Sequence, residues 1–308
     1  MRFAPIAALI VLIAGPALAQ PPRVVADTPI TASLVAQVMG DLGAPGLLLP
    51  PGSSPHHHQM RPSEAAALQS ADLLVWMGPA LTPWLERAAA PRGAGRDLQL
   101  LDVPDTALRA FGEAEHDAGQ DDGDGPEATG DHGHDGIDPH AWLDPANAAI
   151  WLRAIAGDLS RRDPGNAATY ADNAAAAQAR LSALDHEITG RLAPLADRRF
   201  VVFHDAYGYF TDHFGLQPAI AVALGDATSP SAARIADVQA QIGASGARCA
   251  FPEFGHDKKL IEAAIGGSDV VMGAALDPAG AAIEGGAGLY EATLRGLAET
   301  VEACLSGG

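Results

Sequence analysis

The chain has 308 residues, with 19 Lys and Arg against 38 Asp and Glu, a formal net charge of −19. Only two of the cations are lysines, Lys258 and Lys259. This balance argues against a nucleic-acid or anionic-membrane binder, since both draw on clustered Lys and Arg, while 48% hydrophobic and 19% charged residues argue against a disordered polymer. The length fits two lobes, each large enough for its own core.

Residues 1–19 have the form of a secretory signal: Arg2, an apolar run over 3–14, then the small-residue exit Ala17-Leu18-Ala19. The run falls short of the ~20 apolar residues of a spanning helix. No cysteine sits at the exit to carry a lipid, so a periplasmic mature chain over 20–308 is expected.

The first half predicts short strands at 24–26, 47–49, 73–77 and 98–103, with helices near 31–40, 63–70 and 81–89. Next comes a segment without Lys or Arg, 113–138, holding ten acids and the histidines His116, His132 and His134. Almost nothing apolar lies in it, so it reads as a loop outside the core. Alanine-rich 166–192 reads as one long helix opened by Asp163-Pro164. At ~1.5 Å per residue it forms a rod of roughly 40 Å, a stiff connector that opposes wide hinge closure.

The second half predicts strands at 200–203, 219–223, 249–251 and 270–272, with helices near 206–214, 231–243, 257–265 and 287–304. Such alternation predicts an α/β fold of two lobes with parallel four-stranded sheets, joined by one long rigid helix. The boundaries are a lobe over 20–162, a linker helix over 163–194 and a lobe over 195–308. Cys249 and Cys304 lack CxxC spacing and read as structural; in an exported chain they form a disulfide or remain two buried thiols.

Ionisable groups follow several strands, where open α/β sheets bind ligands. His56-His57-His58 follows the second strand, His140 stands at the exit of the acidic loop, His204 ends the fifth strand, and Asp277 follows the eighth. Three imidazoles and a carboxylate suit a four-coordinate divalent metal in the interlobe cleft, zinc above all. Spacing alone leaves other readings open: His57 and His58 as solvated neighbours, His204 as a core histidine, and Asp277 as a turn former before Pro278. No GxSxG, HExxH or P-loop occurs, so no enzyme is expected, although three histidines around zinc with an open position would also describe a hydrolase.

Ser54-Pro55-His56 with Arg61-Pro62-Ser63, the block 71–78, Asp138-Pro139-His140-Ala141-Trp142-Leu143-Asp144-Pro145, the block 203–210 and Met272-Gly273-Ala274-Ala275-Leu276-Asp277-Pro278 run in family order along nearly the whole mature chain. Together they resemble the zinc-specific solute-binding proteins of bacterial ABC importers, the ZnuA-like proteins. The resemblance implies an interlobe Zn²⁺ site with His56, His140 and His204 as ligands and Asp277 matching a fourth, a position that zinc-type relatives also fill with water or another carboxylate. It also implies a Cys249–Cys304 bridge in the second lobe, and His116, His132 and His134 as an auxiliary metal-collecting loop. Manganese-type relatives carry Glu where His204 stands, so the third imidazole marks the zinc type. The implied function is high-affinity periplasmic capture of zinc for an ABC permease, by a monomer, with a periplasmic zinc chaperone as a further candidate partner. His57 and His58 depart from the family pattern and compete with His56. Asp205 is an expected carboxylate for orienting the rings.

Overall fold

A computed structural model describes residues 20–50, 52–111, 136–225 and 230–307. The first half forms β1 (Val24–Ala26), α1 (Pro29–Met39), β2 (Gly46–Leu47), α2 (Pro62–Ser70), β3 (Leu73–Trp76), α3 (Pro83–Ala89) and β4 (Asp97–Gln99). After α4 (Pro145–Arg162) and α5 (Ala167–Leu192), the second half forms β5 (Phe200–His204), α6 (Gly208–His213), β6 (Ile220–Ala223), α7 (Ala232–Ser245), β7 (Cys249–Phe251), α8 (Lys259–Ile265), β8 (Val271–Met272) and α9 (Leu289–Leu305).

The two sheets share one parallel topology, β2-β1-β3-β4 and β6-β5-β7-β8. Register pairs Val25 with Leu74 in the first and Val201 with Ala250 in the second. Central strands β3 and β5 are buried at every position, as expected of parallel strands covered on both faces. The expected fourth strand is shorter than its apolar run, because Asp102 N turns back to Gln99 O and takes the chain out of the sheet.

Helix starts follow local chemistry. Thr28 caps α1, its Oγ1 accepting from Thr31 N at 3.3 Å, with Pro29 in the first turn. Asp27, fully buried between β1 and α1, accepts from Thr28 N at 2.7 Å and from Met77 N at 2.9 Å, tying the end of β1 to the end of β3. One helix exceeds the expected elements: α4, capped by Asp144, whose Oδ1 accepts from Ala146 N at 2.8 Å, with Pro145 at its first position.

The long helix α5 has 26 residues and buries Tyr170, Ala174, Ala177, Leu181, Leu184, Ile188 and Leu192 along one stripe. That stripe packs against α4, α1 and α9. Although α9 follows the second sheet, it reaches the first-half helix α1: Tyr290 N donates to Ser33 Oγ at 3.0 Å, and Ser33 Oγ donates to Ala287 O at 2.9 Å.

Separate lobe cores are therefore not what forms. One continuous apolar core runs from Val24 and Leu73 through α4 and α5 to Phe200, Phe251 and Leu305. Smaller clusters cover the far face of each sheet, around Leu74, Trp76 and Leu85 in the first and Val201, Val222 and Val238 in the second. The shared helices close the inner faces of both sheets at once, which is why the core does not divide. Cys249 of β7 and Cys304 of α9 are disulfide-bonded, joining the second sheet to this helical layer. Among the described residues no helix is long and apolar enough to cross a membrane.

Candidate metal centre

His204 is the last residue of β5, and only 4% of it is exposed. Its Nδ1 faces Glu253 Oε2 at 2.7 Å, and the same oxygen accepts from Tyr207 OH at 3.2 Å. Glu253 lies two residues beyond β7, the strand beside β5, and is itself buried. Burial, and then the neighbouring Glu253 carboxylate, push the Tyr207 hydroxyl well above its ordinary range, so it stays a proton donor.

His140 opens the short 3-10 turn Ala141–Leu143 and is equally buried. Asp138 Oδ1 accepts from both its backbone N, at 3.0 Å, and its ring Nδ1, at 2.7 Å. In each lobe a buried carboxylate thus lies against Nδ1, an arrangement that favours the Nδ1–H tautomer with the Nε2 lone pair toward the cavity. The two Nε2 atoms face each other at 3.5 Å. Two nitrogens bound to one tetrahedral zinc at ~2.0–2.1 Å stand about 3.3–3.4 Å apart. The pair therefore already has the spacing of one edge of a zinc coordination tetrahedron.

His56, His140, His204 and Asp277 line one cavity of about 270 Å³ between the lobes, with Trp142, Glu253 and His256 also in its wall. The His56 ring centroid is 5.5 Å from that of His140, close to the 5.3 Å between His140 and His204. Trp84 Nε1 donates to Pro55 O at 2.7 Å and pins the His56 loop to α3. Asp277 accepts from Ala281 N and Ala282 N, one on each oxygen and both at 2.8 Å, which anchors the carboxylate at the wall. Trp142 Nε1 donates to Pro278 O at 2.8 Å, joining the His140 turn to the Asp277 loop. As placed, no group of three or more His, Cys, Asp or Glu side chains among the described residues stands at metal-holding distances.

The triple histidine is sorted by its surroundings. His58 Nε2 lies 2.7 Å from Glu64 Oε2 and its ring meets Trp84 edge-on, so it serves the start of α2. His57 is exposed. His56 is the member of the three that lines the cavity.

Asp205 does not hold the ring nitrogens; Asp138 and Glu253 do. Burial, and then nearby Asp138, raise the Asp205 carboxyl above its ordinary value. Asp138 was legible from its place two residues before His140. Glu253 has no local motif and is recognised only once β7 lies beside β5. His116, His132, His134 and the signal over 1–19 lie outside the described residues.

Residues 24–304 match the model of the family described as "ZnuA: Zinc-uptake complex component A periplasmic". The chain belongs to this family. It is 53% identical over 305 residues to a protein of Paracoccus denitrificans named high-affinity zinc uptake system protein ZnuA, covering 94% of each chain. A protein of the same name from Brucella suis is 32% identical, with 89% of each chain covered. The periplasmic zinc-binding protein TroA of Treponema pallidum shares the fold at a TM-score of 0.75 and 22% identity, over 92% of this chain and 99% of that one. A manganese-bound periplasmic protein of Candidatus Liberibacter asiaticus shares it at 0.75 and 19% identity, over the same shares. At these identities the two structures speak to the fold alone, and the fold serves more than one metal.

Proposed function

We propose that this protein captures Zn²⁺ with high affinity in the interlobe cavity and delivers it to an ABC permease for zinc uptake. The observation that carries the reading is the 3.5 Å pair of His140 and His204 Nε2 atoms, each ring backed on Nδ1 by a buried carboxylate. Such backing fixes the binding tautomer and makes the ring a stronger donor. The names of the Paracoccus and Brucella relatives support the same cargo.

His140 and His204 are the ligands already in register; His56 supplies the third nitrogen and Asp277 the fourth ligand as the cavity walls draw in around the ion. A three-imidazole set favours zinc over manganese, which prefers a harder, oxygen-rich shell. With Asp277 in the fourth position no site is left for an activated water, so the role is binding and transfer and not hydrolysis. The setting is the periplasm after removal of 1–19. The protein acts as a monomer, loaded from free zinc or by a periplasmic chaperone. His116, His132 and His134 gather zinc weakly and pass it inward.

The test is competitive zinc titration of the wild type, His140→Ala and His204→Ala, repeated with manganese. Each substitution is expected to weaken zinc binding by at least 100-fold, and manganese to compete poorly. Unchanged zinc affinity in both variants sinks the assignment. Because neutral imidazole is the ligand form, affinity is expected to fall on acidification below about pH 6.

A further inference from the structure

His213, the last residue of α6, joins three elements outside the metal cavity. Its Nδ1 lies 2.8 Å from Asp144 Oδ1, and its Nε2 lies 2.8 Å from Asp185 Oδ1. Asp144 is the cap of α4, and Asp185 stands on α5. A ring with both nitrogens on carboxylates donates from both, which is the imidazolium form.

The place of this bridge in the chain ties it to the metal centre. The 3-10 turn that begins after His140 ends at Asp144. Helix α6, which ends in His213, begins four residues after His204. The ligand-bearing segment of each lobe therefore carries one member of the bridge, and α5 supplies the third. The same helix meets the His140 segment again: Tyr209 OH donates to Asp138 O at 2.9 Å and accepts from Arg109 N at 2.9 Å, while Arg109 Nη1 lies 3.2 Å from Asp212.

We propose that His213 is a positioning residue of the interlobe site: its bridge from α6 to Asp144 and Asp185 fixes the His140 turn against the His204 segment, so that both imidazoles meet the ion together. This inference rests on the zinc-capture reading above. The bridge contributes to affinity to the extent that it is tighter in the arrangement that presents both rings.

The electrostatics give the bridge a pH signature. Burial opposes the charge on His213, but Asp144 and Asp185 outweigh it and raise the imidazole above its ordinary value. On its own helix, Asp212 is engaged with Arg109. From α9, the Tyr290 hydroxyl senses both bridge carboxylates; burial first, then those charges, push it well up, so it remains a neutral donor to Trp142 O. Further along α5, Glu187 and Arg191 are paired with Arg295 and with Glu299 and Glu302. The titrating member is His213. A base with a raised folded pKa contributes fully below its unfolded value, ~6.5, and loses that contribution as pH rises through the folded value.

The test is zinc affinity by competition with a chromophoric chelator from pH 6.5 to 9.5, on wild type, His213→Gln, His213→Arg and Asp185→Asn, with thermal melting alongside. At pH 6.5 the Gln and Asn variants are expected to bind zinc about tenfold more weakly, the lower end of what losing an orienting partner costs a metal site. The gap is expected to close toward pH 9.5, where wild type loses its own bridge. His213→Arg, permanently charged and forked, is expected to stay near wild type and to hold its affinity at the alkaline end. A purely structural His213 predicts lower melting temperatures with equal affinities, or a gap that does not change with pH, and either result overturns the proposal. If His213→Gln does not fold, Asp185→Asn carries the same comparison. His140→Ala and His204→Ala separate the two levels: wild-type affinity in both defeats the capture reading, whereas zinc binding that needs these histidines but ignores His213 and Asp185 defeats this inference alone.

Discussion

Glu253 Oε2 lies 2.7 Å from His204 Nδ1, reaching it from just beyond β7, the strand beside the one that His204 ends. Asp138 stands in the same 2.7 Å relation to His140 in the other lobe. Each lobe thus brings a cavity-lining imidazole already oriented by its own buried carboxylate, although the two carboxylates come from unrelated stretches of chain. Glu253→Gln and Asp138→Asn keep the side-chain shape and remove the charge that favours the Nδ1–H tautomer. Each is expected to weaken zinc binding by about 10- to 100-fold with the fold retained. Isothermal or chelator titration together with circular dichroism checks this, and unchanged affinity in both variants would show that the carboxylates only pack.

The triple histidine separates under substitution. His56→Ala removes a cavity-lining ring and is expected to cost at least tenfold in zinc affinity with little change in melting temperature. His58→Ala is expected to leave zinc affinity within about twofold, since His58 is engaged with Glu64. It should instead lower stability by about 0.5–1 kcal/mol, the scale of a weakened helix start. A reversal, with His58→Ala losing zinc and His56→Ala retaining it, would assign the ligand to His58.

Much of this was legible from residue pattern. Short apolar runs such as 73–77 and 200–203 lie between turn-forming residues and became the central strands β3 and β5. Alanine-rich 166–192, with no Pro or Gly before Gly190, became α5. The blocks around His56, His140, His204 and Asp277 proved to line one cavity. What escaped depended on pairing across the chain. Glu253 gains its role only through the β5–β7 register, Val202 beside Phe251. His213 looks like a helix-surface residue until α4 and α5 bring Asp144 and Asp185 to it. The start of α4 carries a readable Asp-Pro signal, but it overlaps the His140 block, whose residues are more conspicuous as chemistry. The undivided core follows from α9 crossing to α1, a contact between segments more than 250 positions apart in the chain.

Glu64 supplies an acid-side test of stability. Burial alone would raise its carboxyl, but the backbone N–H of Arg61 and the His58 ring outweigh that and hold it below the ordinary value. An acid with a depressed folded pKa contributes stability above its unfolded value, ~4.3, and loses it as pH falls through the lower folded value. The melting-temperature gap between wild type and Glu64→Gln is therefore expected to be present at pH 7 and to shrink steadily below about pH 4. A gap that stays constant down to pH 3 would mean that Glu64 acts by shape and not by charge.

The Cys249–Cys304 bridge spans 55 residues and fastens β7 to α9, the helix that also reaches α1 of the first lobe. Loop-closure entropy for a span of that size is worth about 4 kcal/mol. Replacing both cysteines with serine is expected to lower the melting temperature by several degrees and to shift the urea midpoint downward, with a somewhat larger m-value because the unlinked unfolded chain exposes more surface. The bridge lies away from the cavity, whose wall includes neither cysteine. Zinc affinity at 25 °C should therefore stay within about threefold of wild type as long as the variant is folded. A large loss of affinity without a loss of stability would show instead that the bridge sets the position of the loop beyond β7, and with it Glu253 and the backing of His204.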